Sequence, residues 1–358
     1  MRKIHLLIAC LCMLLLFSCE QRDKYVVFSG YAQGGTYTVK CNLKGVGVPA
    51  AEIRDSIDSI LLAIDNSVSG YNKKSLLSRF NAGERIVPDK IFTDIYEFSR
   101  EIWEQTGGSV DVAAAPLYDL WGFGFTSDTM PAPSEVSHVL GLCGMDRLKS
   151  SMEDAMRDGA VCGADLLVPV TRQGIQDLRL DRDALPKLNY NAVAQGYSCD
   201  LVAGYLYSIG VKDMMVDIGE IFCDGHNPSG QPWTVGIDSP FDGNDQPGAS
   251  LQGVFRAVSV PCGIVTSGNY RKFYVRDGHK YSHTIDPHSG YPVGHSLLSA
   301  TVIAPNAGLA DGYATHCMVV GLDSAKEFIE ADPTLEACLI YDDNGEMKQW
   351  LSSGFVLE

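Results

Sequence analysis

Asp311 and Thr315 stand four residues apart in a run of small residues, Ala310, Gly312 and Ala314. On a helix that spacing puts a carboxylate and a hydroxyl on one face, a turn apart. Two hard oxygen donors so placed suit Mg²⁺, which takes few protein ligands and fills its shell with water and substrate phosphate. A first-turn aspartate also satisfies a helix dipole, and a threonine packs well in a core, so the pair alone leaves both readings open. A second set lies from Thr266 to Pro292, TSGNYRKFYVRDGHKYSHTIDPHSGYP. Asp277-Gly278 between alternating runs is a hairpin signal, because both central residues of such a turn need φ > 0. It predicts that Ser267 and His283 sit near each other at one end of a single hairpin. A Ser-His pair could serve a hydrolase, but no third member is identifiable.

The elements that must position these groups follow from periodicity. Tyr25–Phe28 and Thr36–Lys40 read as a strand pair around a Gly34-Gly35 turn. Pro49 opens a helix whose stripe is Ile53, Ile57, Ile60, Leu61 and Ile64. A second helix carries Ile91, Ile95, Phe98 and Ile102 and stops at Gly107-Gly108, and a long loop follows. Alternation from Leu166 to Leu180 predicts strands, and a helix begins at Ala194. Met214–Ile218, Trp233–Ile237, Val254–Val260 and Leu298–Ile303 read as further strands. Helices over Asp311–Val320 and Ala325–Glu330 precede a closing hairpin at Asn344-Gly345. Locally pairing strands with interspersed helices predict an α+β fold with mainly antiparallel sheets, not a doubly wound one.

At 358 residues, 46% hydrophobic and 20% charged, the chain is ordinary globular material. A formal net charge of −16 without clustered Lys/Arg argues against a nucleic-acid partner. A polyphosphate ligand stays compatible, since a metal offsets the charge locally. No G-x-G-x-x-G after a strand, Walker A run, H-E-x-x-H or G-x-S-x-G elbow is present.

Arg2 and Lys3 precede an apolar run from Ile4 to Phe17 that closes on Leu16-Phe17-Ser18-Cys19. Its length and charge are those of an export signal, and its end resembles a bacterial lipobox. The expected organisation is a lipoprotein signal peptide over 1–18, a lipidated Cys19 with a short linker over 19–24, and a single domain over 25–358. Acylation at Cys19 would hold the chain on a lipid bilayer, most naturally a periplasm-facing inner membrane, without a spanning helix. The remaining cysteines show no C-x-x-C spacing or Cys/His array, so zinc is not expected, and buried free thiols are.

Five separated segments extend this reading: Ala32-Gln-Gly-Gly-Thr-Tyr37; Ser69-Gly-Tyr71 with Ser75 and Ser78-Arg-Phe-Asn81; Asp111–Pro116 with Leu120-Trp-Gly-Phe-Gly124; Val193-Ala-Gln-Gly-Tyr197 with Asp200; and Thr266-Ser-Gly-Asn-Tyr270 through His283-Thr-Ile-Asp-Pro287 and Gly290-Tyr-Pro292 to Asp311–Thr315. Together and in this order they resemble the ApbE family of FAD:protein FMN transferases, over nearly the whole chain after the leader. The resemblance implies an ApbE-like α+β fold and a Mg²⁺-dependent transfer of FMN from FAD to a threonine hydroxyl of an acceptor flavoprotein in a membrane or exported electron-transfer system, with AMP released. It implies Gln33, Tyr71, Ser109, Val110, Asp111, Asn189, Gln195 and Ile285 around FAD. It implies Ala192 (through its carbonyl), Asp311 and Thr315 around Mg²⁺, and His283 for proton transfer, with His288 in support. In such a reaction the attacking hydroxyl arrives on another protein, so the chain needs no nucleophile of its own.

Departures from the family pattern are Asn189 and Gln195 in place of charged residues, Glu220 in place of a second strand-end glycine, and Ala314 where some members carry a further aspartate. Two alternatives stand beside transfer: an FAD pyrophosphatase that gives FMN and AMP, and a non-catalytic flavin-binding lipoprotein.

Overall fold

The computed structural model describes residues 24–123, 130–168, 185–244, 246, 248–270, 273–276 and 279–358. The expected leader, lipidation site and most of the strands expected over Leu166–Leu180 lie outside them, as do Gly124 and the Asp277-Gly278 turn. In chain order the elements are β1 (Tyr25–Ala32), β2 (Gly35–Asn42), α1 (Ala50–Val68), α2 (Leu76–Asn81), α3 (Lys90–Gln105), α4 (Ala115–Leu120), α5 (Pro133–Leu140), α6 (Met152–Ala155), α7 (Gly163–Leu166), α8 (Ala194–Ser208), β3 (Met214–Asp217), β4 (Ile221–Asp224), β5 (Trp233–Asp238), β6 (Leu251–Ala257), β7 (Cys262–Gly268), β8 (Phe273–Arg276), β9 (His279–Ser282), β10 (Leu297–Ala304), α9 (Ala307–Val320), α10 (Leu322–Ala331), β11 (Glu336–Asp343) and β12 (Glu346–Leu351).

An antiparallel eight-stranded sheet in the order β1-β2-β3-β4-β7-β10-β11-β12 forms the frame. The side-chain alternation along its strands divides the core. Met214 and Val216 of β3 join Val39 and Cys41 against the helical layer, with Ile53 and Ile57 of α1, Ile95 of α3 and Val202 of α8. Met215 points the other way, with Cys223, Cys262 and Ile340, under the β5–β6 hairpin and its Trp233, Val235 and Phe255. Val265, Ala300 and Val302 meet α9 and α10 in a third cluster. The α+β class read from the sequence is therefore the observed one, with helices on one face and a small hairpin sheet on the other.

Local chemistry explains most boundaries. Pro49 is the N-cap of α1, Asp89 accepts from Phe92 N–H to start α3, and Asn306 accepts from Leu309 N–H to start α9. The first hairpin turns at Gln33-Gly34, since Ala32 pairs with Gly35, one residue earlier than expected. Gln33 then holds φ 52°, a left-handed conformation uncommon for a residue with a side chain. The long loop after Gly107-Gly108 is partly helical, because Pro116 within Ala115–Leu120 suits a first helical turn.

One expectation changes. Ser267 belongs to β7 of the main sheet, opposite Ala300, whereas the hairpin near His283 is made of β8 and β9, with Phe273 opposite Ser282. The motif splits because β7 has a full partner in β10, while β8 and β9 pair only with each other. Ser267 therefore belongs to the main sheet, ahead of β8, and His283 follows the hairpin's last strand. Among the described residues all eight cysteines are free thiols, as the sequence suggested, and no helix is long and apolar enough to cross a membrane.

Candidate active site

Helix α9 is buried on nearly every side, and glycines let it be so. A Cβ on Gly308 would meet Phe98 and Asp200, and one on Gly312 would meet Ile102, so α9 lies flush on α3. On its other flank a Cβ on Gly196 would come within 2.2 Å of the Ala307 carbonyl and 2.9 Å of Asp311 Cβ. That close approach lets the Gly196 N–H donate to Asp311 Oδ2 at 3.0 Å. In a regular helix this N–H would serve the carbonyl of residue 192. Here it goes to Asp311, and no backbone N–H among the described residues bonds to the Ala192 carbonyl.

Asp200, also on α8, accepts from Ala307 N–H at 2.9 Å and Gly308 N–H at 2.8 Å, capping α9 with a negative charge where the helix dipole favours one. Burial pushes the Asp200 carboxyl up to about 6, against the two N–H bonds that lower it. Burial likewise drives the Asp311 carboxyl well upward, opposed by the Gly196 bond and reinforced by the Asp200 charge. Among the described residues neither carboxylate makes an ion pair with a lysine, arginine or histidine. Without a counter-charge such a buried pair holds on to its protons, and a cation bound there would favour the charged form instead. Thr315, one turn on, is half-buried. A carboxylate, a hydroxyl and a free carbonyl form a hard-oxygen set that fits Mg²⁺, and they fit it without a cluster of three His, Cys, Asp or Glu, of which none exists among the described residues.

A cleft of about 300 Å³ is lined by Trp103, Gly107, Gly108, Asp111, Asp146 and His288 among others, and Ala192, Asp200, Asp311 and Thr315 are not in its wall. Its loop is fixed to α9 by a buried hydrogen bond between Ser109 Oγ and His316 Nδ1, and the end of α3 by Tyr313 Oη donating to Gln105 Oε1 at 2.7 Å. Asp111 accepts from Ala113 N–H at 2.8 Å and Met145 N–H at 2.9 Å. Its carboxyl is raised by burial, less what those bonds lower it. His288 bonds the Gly107 carbonyl through Nε2 at 3.1 Å and Asp286 through Nδ1 at 3.2 Å, closing one rim. Burial alone would raise Asp286, but hydrogen bonds from His288 and Ser289 and the His288 charge hold it below the usual carboxylate range.

The structure thus joins Asp311, the Ala192 segment and, through Ser109 and Asp111, the cleft loop. Several other expected residues take less direct positions. Val110 and Ile285 are buried in apolar clusters, so only their backbones could reach a ligand. The Asn189 side chain accepts from Asn191 N–H at 2.9 Å and shapes the turn before α8. Gln195 Nε2 donates to the Ile218 carbonyl at 3.3 Å, beside the Gly219 turn. Gln33 donates to Ser198 Oγ, tying the first hairpin to α8. Tyr71 stands 69% exposed after α1. His283 follows β9, half-buried, with its ring edge to Phe123 at 6.5 Å.

Trp103 and Asp146 were not singled out by sequence. Trp103 looks like one more residue of an amphipathic helix, and Asp146 carries no motif. Aromatic stacking holds the hairpin against this region: Trp121 on Tyr281 at 6.0 Å, Tyr281 on Tyr274 at 5.2 Å, and Tyr274 on Phe123 at 5.2 Å.

Residues 34–339 match the model of the ApbE family. The chain is 31% identical over 355 residues to the FAD:protein FMN transferase of Vibrio cholerae, covering 98% of this chain and 97% of that one. It is 33% identical over 312 residues to the FAD:protein FMN transferase of Escherichia coli, covering 86% and 81%. Its fold superposes on the apo flavinyl transferase ApbE of Pseudomonas stutzeri with a TM-score of 0.74 at 28% identity, over 93% of this chain and 96% of that one. From its sequence and its fold alike, the chain belongs to the ApbE family.

Proposed function

We propose that this protein is an FAD:protein FMN transferase. The observation that carries the reading is the pair of buried carboxylates, Asp200 and Asp311, held at the α8–α9 contact, lacking a protein counter-charge among the described residues, with Ser109 tying α9 to the loop of a cleft. FAD fits such a place because its pyrophosphate needs a cation, and its rings need a cleft with an aromatic wall such as Trp103.

Asp311, Thr315 and the Ala192 carbonyl would hold Mg²⁺, which when bound neutralises the pyrophosphate oxygens and favours departure of AMP. Asp200 fixes the start of α9 so that Asp311 and Thr315 keep their places. His283 takes the proton of the incoming threonine hydroxyl, a role suited to an imidazole whose ordinary pKa lies near neutrality. The hydroxyl oxygen forms a bond to the FMN-side phosphorus, and the bond to the AMP oxygen breaks. Gln33, Tyr71, Ser109, Val110, Asp111, Asn189, Gln195 and Ile285 surround the flavin nucleotide, several of them through backbone groups. Acceptors are flavoproteins of membrane or exported electron-transfer systems, and acylation at Cys19 keeps the enzyme at the membrane surface where they are found.

Product analysis tests this. With FAD, Mg²⁺ and an acceptor carrying a target threonine, AMP should appear together with protein-bound flavin. Equal amounts of free FMN and AMP would instead indicate hydrolysis, and unchanged FAD would indicate binding alone.

A further inference from the structure

We propose that Cys223 and Cys262 form a cross-strand disulfide, tying β4 to β7, when the chain folds in the presence of a disulfide oxidant. The two residues stand directly opposite each other in the antiparallel β4–β7 pair, in register with Ile221 opposite Ile264 and Phe222 opposite Gly263. Residues so paired have Cα atoms roughly 4.5–5.5 Å apart, inside the window that a disulfide spans. Both side chains leave the same face of the sheet. Cys223 and Cys262 are members of one buried cluster with Trp233 and Phe255, while the intervening Phe222 packs on the opposite face. Among the described residues no other two cysteines occupy paired positions in the strand registers.

The chain between the two cysteines contains β5 and β6, the hairpin sheet that covers them. A bond here would close that whole excursion into a loop and restrict the unfolded chain accordingly. Once the hairpin has docked, both thiols are buried and burial pushes each upward, Cys262 to about 12, so thiolate is scarce and exchange is slow. The bond therefore forms before docking and is protected afterwards. In the first step one thiolate attacks a sulfur of the oxidant disulfide, forming a mixed disulfide and releasing one thiol. In the second, the other cysteine, its proton lost to solvent, displaces the second thiol. Two cysteine thiols are oxidised, and one oxidant disulfide is reduced to two thiols. β4 follows the Gly219 turn that Gln195 touches, so the bond would anchor the strand that leads out of that turn.

The test is to refold the full chain in oxidised and reduced glutathione, or with reductant alone, then alkylate in denaturant and map peptides without reduction. Oxidative refolding should yield a linked peptide joining Cys223 to Cys262 and two fewer alkylated thiols. The link should resist reductant in the folded protein and yield to it in denaturant. Cys223→Ala should leave Cys262 alkylated, and Cys338→Ala, in the same buried layer, should leave the link in place. Should a variant fail to fold, the map of the unaltered chain decides. Alkylation of both cysteines after oxidative refolding, or a link from either to Cys338, would overturn the proposal.

Discussion

Asp311 Oδ2 accepts a hydrogen bond from Gly196 N–H at 3.0 Å, across a contact where α8 and α9 touch backbone to backbone. The candidate metal set depends on that contact. A methyl group at 196 would lie 2.2 Å from the Ala307 carbonyl, and backbone cannot give as a side chain does. Gly196→Ala should therefore destabilise the fold by about 1–3 kcal/mol or more, as overpacking does. Urea unfolding would measure it, and an unchanged midpoint would mean that the helices part easily.

Asp200→Ala should cost about 2 kcal/mol, because two buried N–H groups at the start of α9 lose a charged acceptor. Asp200→Asn keeps one acceptor and should lose less. Thermal unfolding of both variants checks the order.

Asp311→Asn keeps the shape of the site and removes its charge. Added Mg²⁺ should raise the unfolding temperature of the FAD-loaded protein and leave that of Asp311→Asn unchanged, since only a ligand that binds the native state stabilises it. Transfer should fall roughly 100-fold or more. An equal Mg²⁺ shift in the variant would exclude Asp311 as a ligand.

His295 gives a pH dependence. Its Nε2 bonds the Met318 carbonyl at 2.9 Å, while its buried Nδ1 has no partner among the described residues. Burial lowers its pKa from 6.5, and backbone contacts at Met318 and Val319 only partly oppose this. A histidine whose folded pKa is depressed is neutral in the fold. Its contribution to stability is thus present above 6.5 and is lost as pH falls below it. Unfolding midpoints measured from pH 8 down to about pH 5 should decline more steeply for the native chain than for His295→Asn.

Much of the frame was legible because it follows from period and caps. The α1 stripe and the Asn344-Gly345 turn report local preferences, whereas α9 starts at its Asn306 cap, ahead of the Asp311 start expected from the sequence. The α9 site was half legible: the Asp311–Thr315 spacing was visible, but the role of Gly196 was not, since its partner lies 115 positions away. Ser267 misled for a similar reason. Local pattern joined it to the hairpin, whereas its pairing with Ala300 across the main sheet is a long-range choice. Trp103 and Asp146 carry no local signature and become site residues only when the α3 end, the loop after it and the His288 turn converge.

The central claim is transfer of FMN to a protein hydroxyl, and the intact mass of an acceptor tests it most directly. After incubation with FAD and Mg²⁺, a threonine-bearing acceptor should gain the mass of one phosphoester-linked FMN, and an acceptor with valine at that threonine should gain nothing. His283→Ala should slow the gain by roughly 10²–10⁴-fold while FAD binding persists. Consumption of FAD by the native chain, with no mass added to the threonine acceptor, would contradict the account.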